Sequence, residues 1–406
     1  MADVSFAPAE TALLPAAGGE HERLARLRLA RSRNVGPRSF MHLIRRYGSA
    51  VAAIEALPAQ GSGYSLCDIA TARAELEAGS AAGARLVLIG EAEYPDRLTT
   101  IPGPPPVLWL QGSATAFSGR AIAIVGARNA SAIGQRLARR LALSLAADGV
   151  TVVSGLARGI DTAAHEGTIA AATGAEDGQE PGPTIAVLAG GIDVIYPAEN
   201  GDLAERIVVE GGALISECPP GTIPAGRHFP RRNRLVSGLS DGVVLVEAAL
   251  RSGSMITARS ALEQGREVMA CPGSPEDPRT GGCNALIREG AALIRTAADV
   301  MDALTLPRRL APPPDGMPAG MAEGPEPFDY GLSGLGSEPF IDEEGEDAPL
   351  LTDRVLALLS PTPVEVDEIA RACRSSPASL SLALLELELA GRLVRVQGGQ
   401  IAAVPA

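Results

Sequence analysis

Seven short apolar runs dominate residues 119–305: "AIAIVG" (121–126), "VTVVS" (150–154), "TIAVLA" (184–189), "GALIS" (212–216), "GVVLVEA" (242–248), "EVMAC" (267–271) and "AALI" (291–294). Segments of helical periodicity lie between them, such as "IGQRLARRLALSLAADG" and "SMITARSALEQG". Continuous apolar strands alternating with helices predict a parallel sheet covered on both faces. The expected fold is therefore α/β, a doubly wound, Rossmann-like domain over 119–305.

The flanks carry other patterns. Residues 22–57 place apolar positions at helical spacing around the turn "NVGP". This predicts a small helical domain of the helix-hairpin-helix or SAM-like type over 21–80, after a disordered tail at 1–20. Eight arginines lie between positions 23 and 46. Either the glycine turn points backbone N–H groups at a DNA phosphate, or the arginines form a solvated face. Residues 81–118 read as a Pro-rich connector packed on the next domain, with a short strand at "VLWLQG". Residues 306–348 have no apolar periodicity and are rich in Pro, Gly and acids, which predicts a disordered linker. Residues 349–406 read as a winged-helix domain: three helices, then a hairpin "RLVRVQGGQIAAV" with a Gly-Gly turn. Its third helix, the usual groove reader, carries Glu386 and Glu388 and no arginine. Protein contact therefore stands beside DNA reading as its role.

Composition narrows the chemistry. All 35 basic residues are arginine. A Walker A loop and a Schiff-base site each need a lysine, so both are excluded. The five cysteines (67, 218, 271, 283, 373) are scattered without a CxxC pair, which indicates neither zinc nor a disulfide framework and suits a reducing cytoplasm. The N-terminus shows no signal-peptide pattern, and no run is long enough for a membrane span. The net charge of −13 is uneven: 0 over 1–118, −4 over 119–305, −8 over 306–348 and −1 over 349–406. An acidic total concentrated in one segment does not oppose a polyanion ligand elsewhere, because fields decay within a Debye length of about 8–10 Å.

Open α/β sheets bind ligands beyond the carboxyl ends of their strands. After the first run comes "GARNASAIG", with Gly126, Arg128 at the tip and Ser131 before a helix. It is not GxGxxG, and Ser154 stands where an NAD site would place an acid. After the second run come Arg158 and Gly159, then Asp161 and His165 four apart on a helix. These two are an acid–base pair, or a helix-start acid hydrogen-bonded to a structural histidine. After the fourth run, Glu217 precedes four arginines in eight residues, Arg227, Arg231, Arg232 and Arg234. Arg231 and Arg234 fall on one helix face. After the fifth, Ser252, Gly253 and Ser254 open a helix, where hydroxyl and N–H groups take an anion or simply cap. Together these strand ends describe a phosphate-lined rim. No nucleophile–base pair, metal cluster or HExxH occurs, and the expected cofactor and metal content is none. With 3 % aromatic residues, base stacking depends on Phe229 or Tyr196.

The motifs "IVGARNASAIG", "VVSGLARGIDTAAHEGT", "VLAGGIDVIYPAEN", "LISECPPGT", "HFPRRNRLVSGLSDGVVLVEAALRSGSMITARSALEQGREVMACPG" and "GCNALIREGA" resemble the DprA/Smf family of bacterial DNA-processing proteins. The resemblance implies a cytoplasmic, dimeric, non-catalytic protein. It implies single-stranded DNA binding on the α/β domain, protection of that strand, and loading of a RecA-type recombinase in natural transformation. By motif match, Arg128 would hold phosphate, and Arg227 would fill the basic position before "HFP". The "RNR" helix and the "SGS" segment would complete the face. The expected DNA-phosphate face is thus Gly126, Arg128, Ser131, Arg158, Gly159, Arg227, Arg231, Arg234, Ser252, Gly253 and Ser254. Two other readings remain: a phosphoribohydrolase-like nucleotide-processing enzyme using the same rim with Glu247 or Asp161 as acid–base, and a ligand-sensing regulator whose winged helix reads duplex DNA.

Overall fold

A computed structural model describes residues 18–57, 63–176, 178–305, 350–396 and 400–404. Most of the expected N-terminal tail, the acidic linker and the Gly-Gly turn of the last hairpin lie outside the described residues. The N-terminal domain comprises α1 (Gly19–Arg31), α2 (Pro37–Tyr47), α3 (Ala50–Ala56) and α4 (Ile69–Ala81). Phe40, Leu43 and Ile44 form the inner face of α2 and join one apolar cluster with Leu98, Ile101, Leu235 and Leu239 of the next domain. Trp109 donates its Nε1–H to Glu75 at 3.0 Å, and Arg31 grips the same carboxylate. The helical domain is therefore tied into the α/β core.

The α/β domain runs β1 (Arg85–Leu88), α5 (Asp96–Thr99), β2 (Val107–Gly112), β3 (Ala121–Gly126), α6 (Ala132–Ala147), β4 (Thr151–Ser154), α7 (Ile160–Thr173), β5 (Thr184–Val187), α8 (Gly201–Val209), β6 (Ala213–Ser216), α9 (His228–Gly238), β7 (Gly242–Val246), α10 (Gly253–Glu263), β8 (Glu267–Ala270), α11 (Gly281–Arg288), β9 (Ala292–Leu293) and α12 (Ala297–Thr305). Each of the seven apolar runs became a strand. They form one sheet in the order β1-β2-β6-β5-β4-β3-β7-β8-β9. From β6 to β9 every pairing is parallel. The connector supplies the expected strand at "VLWLQG", β2, and a further one, β1; the two form an antiparallel hairpin that pairs antiparallel with β6. The apolar run Leu86–Ile89 stands outside the strand–helix alternation that marked the other strands.

Chain order reverses at β3, which pairs with β4 on one side and β7 on the other. The helices divide accordingly. The helices α6, α7 and α12 pack on one face, with Ile122, Ile124 and Val244 beneath them. The helices α9, α10 and α11 cover the other, over Ala123, Val243 and Leu245. Gly126 and Val246 are register partners, so the loops after β3 and β7 leave the sheet at one level and in opposite directions. A crevice at such a switch point is where open α/β sheets bind ligands.

The C-terminal domain has α13 (Leu351–Leu358), β10 (Val364–Glu365), α14 (Val366–Cys373), α15 (Pro377–Leu389), β11 (Leu393–Val396) and β12 (Gln400–Ala403), the winged-helix arrangement. It touches the α/β domain beside the crevice. Ala132 joins its apolar cluster, Arg136 pairs with Glu368, and Arg279 donates to the carbonyls of Ala357 (2.8 Å) and Leu359 (2.6 Å).

Candidate nucleic-acid interface

The switch-point crevice opens into a groove of about 330 Å³. Gly126, Arg128 and Asn129 of the β3 loop form one wall, and Ser252, Gly253 and Ser254 at the start of α10 form the other. The floor comes from α9, through Phe229, Arg232 and Asn233. The Arg128 guanidinium lies 4.8 Å from the Phe229 ring centroid, and that of Arg232 lies 5.9 Å from it. Tyr196 meets the same ring edge-on at 6.1 Å. Two guanidinium groups beside one aromatic ring bring positive charge and a stacking surface together, which suits a phosphate next to a base. Asn233 donates to the Gly253 carbonyl at 3.2 Å and fixes α9 against α10.

Several expected residues hold the groove up rather than line it. Ser131 is fully buried and caps α6, accepting from the Gly134 N–H at 3.0 Å while its hydroxyl donates to Glu247. The Ser131 N–H also donates to Glu247 at 2.8 Å. Ser131 is thus removed from the phosphate rim, and the Glu247 carboxylate is committed to bracing the β3 loop. Gly159, at φ +76°, presses against that loop from below: a Cβ there would sit 2.4 Å from the carbonyl oxygens of Ala127 and Arg128. Ser252 differs from Ser131. It stands at the N-cap of α10 but caps no N–H, and its hydroxyl meets that of Ser254 at 2.8 Å.

The arginines of α9 divide between two sides of the helix. Arg234 donates to Glu217 and to the Gly103 carbonyl, both at 2.7 Å, on the side facing the N-terminal domain. Arg231 is exposed and lines a separate cleft of about 200 Å³ there, and Arg227 is exposed at the helix start. The expectation that Arg231 and Arg234 share the Arg128 face is corrected. Positions 229, 232 and 233 face the groove, because Leu235, Val236 and Leu239 turn inward and set the helix phase. Arg158 pairs with Glu199 at 2.9 Å, away from the groove. Arg232, which sequence reasoning passed over, is 7 % exposed and lies 3.6 Å from Asp161.

Asp161 and His165 do not touch as a pair. The Asp161 carboxylate accepts from the N–H groups of Gly155 (3.1 Å) and Ala157 (3.4 Å). His165 shares a 2.7 Å hydrogen bond with the Thr184 hydroxyl instead. Burial raises the Asp161 carboxyl above its ordinary range, against the opposing pull of Arg232 and the two N–H groups. Burial, helped by the Arg232 charge, lowers His165 to about 3, so its imidazole is neutral. No group of three His, Cys, Asp or Glu side chains among the described residues is arranged to hold a metal.

The family model described as DNA recombination-mediator protein A matches residues 85–305. The chain belongs to the DprA/Smf family. The DprA-like N-terminal HHH domain matches 20–78, and the DprA winged helix domain matches 343–399. The chain is 37 % identical to Protein Smf of Escherichia coli over 76 % of this chain and 74 % of that one. It is 45 % identical to the DNA processing protein DprA of Bacillus subtilis, over 55 % of this chain and 72 % of that one. The X-ray structure of DprA from Streptococcus pneumoniae aligns with a TM-score of 0.57 and 29 % identity, over 69 % of this chain and 96 % of that one. Family membership bears out the resemblance carried by the six motifs, all of which lie in the α/β domain and three of which line the groove. No helix among the described residues is long and apolar enough to cross a membrane.

Proposed function

We propose that this member of the DprA/Smf family binds single-stranded DNA in the switch-point groove. Arg128 and Arg232 take backbone phosphates, Phe229 offers a face to a base, and the start of α10 supplies N–H and hydroxyl donors from Ser252, Gly253 and Ser254. The observation that carries this reading is the Arg128 guanidinium held over the Phe229 ring, opposite a helix start whose serines cap nothing. Backbone cations with one aromatic platform bind single strands with little regard to sequence. On this reading the protein acts in the cytoplasm as a homodimer without a cofactor. It shields the strand during natural transformation and passes it to a RecA-type recombinase, steps that rest on family membership.

The test is fluorescence anisotropy with labelled oligothymidylate across a salt series. If about four to six phosphates are engaged, the log–log slope is about −3 to −4. Arg128→Ala lowers affinity by about tenfold or more and flattens the slope. Unchanged affinity would sink the assignment of the groove. The nucleotide-processing alternative keeps one supporting observation, a buried acid in the groove whose carboxyl is raised. Its Oδ2 accepts from two backbone N–H groups and faces Arg232, which commits that oxygen to holding the loop after β4. Release of free base from nucleoside monophosphates would restore that alternative.

A further inference from the structure

Between Glu22 and Glu55 the chain has eight arginines and no acidic residue. The structure splits these arginines into two sets. Those of α1 are engaged: Arg23 with Glu91, Arg26 with Glu22, Arg31 with Glu75, and Arg28 with the Cys67 carbonyl. Arg33, Arg38 and Arg45 are exposed and make no ion pair among the described residues. Arg46 is exposed and faces only the ring of Tyr47, at 5.3 Å. Arg38 and Arg45, with His42 between them, follow i, i+4, i+7 spacing on the side of α2 opposite Phe40, Leu43 and Ile44. Unpaired cations along one helix face, with no local acid, make a polyanion track.

The position of this track favours nucleic acid. The start of α2, Gly36 and Pro37, lines the 200 Å³ cleft that His228 and Arg231 of α9 also line, and Arg232 reaches both this cleft and the groove. The other side of α9 floors the groove. The two helices hold a fixed relation. Arg234 grips the Gly103 carbonyl, Gly103 lies against Pro37, and the inner face of α2 shares its apolar cluster with Leu235 and Leu239. Arg231 is exposed between the two surfaces. We infer that the exposed arginine face of α2 is a second contact for single-stranded DNA, taking the phosphates of a strand that leaves the groove across α9. The inference rests on the groove being a single-strand site and extends its footprint into the N-terminal domain.

Strand length separates the two surfaces. Binding of the full chain is measured by anisotropy with oligothymidylates of about six and about thirty nucleotides. The double variant Arg38→Glu/Arg45→Glu replaces exposed side chains. It is expected to lose about tenfold on the long oligonucleotide and to stay within about twofold on the short one. The salt slope for the long strand drops by about 1.4, two phosphates' worth. Arg38→Lys/Arg45→Lys keeps the long-strand affinity. An unchanged long-strand affinity overturns the inference and leaves an acidic protein as the better partner for this face; an equal loss on both lengths overturns it too, because the effect would then lie in the groove itself. If the wild-type chain binds neither length, the groove reading itself falls. If Arg128→Ala weakens the short strand while the double variant changes nothing, only the α2 contact falls.

Discussion

The two sides of α9 present the same residue type to opposite ends. Toward the N-terminal domain, Arg234 has a carboxylate and a carbonyl within 2.7 Å and serves to join domains. Toward the groove, Arg232 has a more distant acid at 3.6 Å, its Nε lacks a partner, and Phe229 lies beside it. An arginine held by two short hydrogen bonds, one of them to a carboxylate, contributes stability. One that is buried with a donor unfilled, as the Arg232 Nε is, leaves the hydrogen bonding of its site incomplete. Neighbouring positions on one helix thus split between a domain contact and the groove proposed to bind DNA, and clustering in sequence does not say which is which. The same division separates Ser131, spent on a cap and on Glu247, from Ser252, which caps nothing.

The largest expected effect tests the groove side of that contrast. Asp161→Asn removes the one carboxylate beside Arg232 among the described residues and leaves a buried guanidinium without that counter-charge. The expected loss is about 3–5 kcal/mol of stability in urea denaturation. A loss under about 1 kcal/mol would mean that Arg232 reaches solvent and is not a buried groove residue. Next, Phe229→Ala removes the aromatic face and is expected to weaken single-strand binding by about 1–3 kcal/mol. Equal affinity in the variant would assign base contact elsewhere, with Tyr196 the neighbour to substitute next.

His165 reports on the same buried charge. Its folded pKa, about 3, lies below the ordinary 6.5, so the unfolded chain binds more protons between those values. Stability is therefore complete above about pH 6.5 and falls as the pH drops toward 3, by about 1.4 kcal/mol per pH unit from this group. Asp161, whose folded pKa is raised, acts in the opposite sense just above its ordinary range, losing stability as pH rises there. Between pH 6.5 and 5 the histidine slope should stand out in urea titrations and disappear in His165→Gln. A slope that survives the substitution would place the titrating group elsewhere.

The fold was legible because a parallel sheet is buried on both faces, so its strands read as unbroken apolar runs. The hairpin strand at Arg85–Leu88 has its own apolar run, Leu86–Ile89, but lies beside a Pro-rich stretch outside the strand–helix alternation that marked the other strands. At the site, Arg128 and the serines opening α10 were visible as strand-end residues. The phase of α9 was not, with four arginines in eight residues to choose from. The apolar spacing Leu235, Val236, Leu239 held the missing signal: extended back one turn, it selects Arg232 as the inward position, and 229 and 233 flank it. Ser131 was misread because a serine before a helix looks the same whether it meets an anion or its own helix N–H. The difference lay in Glu247, 116 positions away, which no local pattern connects to it.

The smallest effect belongs to the other side of α9. Arg234→Ala removes two 2.7 Å hydrogen bonds from a pair whose side chains are 21 % and 17 % exposed. Partial exposure limits the charge contribution, so the expected loss is about 1–2 kcal/mol of stability. Affinity for a six-nucleotide strand should remain within about twofold, because Arg234 points away from the groove. Chemical denaturation and anisotropy on the same preparation give both numbers. Unchanged stability together with a tenfold loss of short-strand affinity would mean that the two sides of α9 had been assigned the wrong way round, and the binding face would then have to be rebuilt on Arg231 and Arg234.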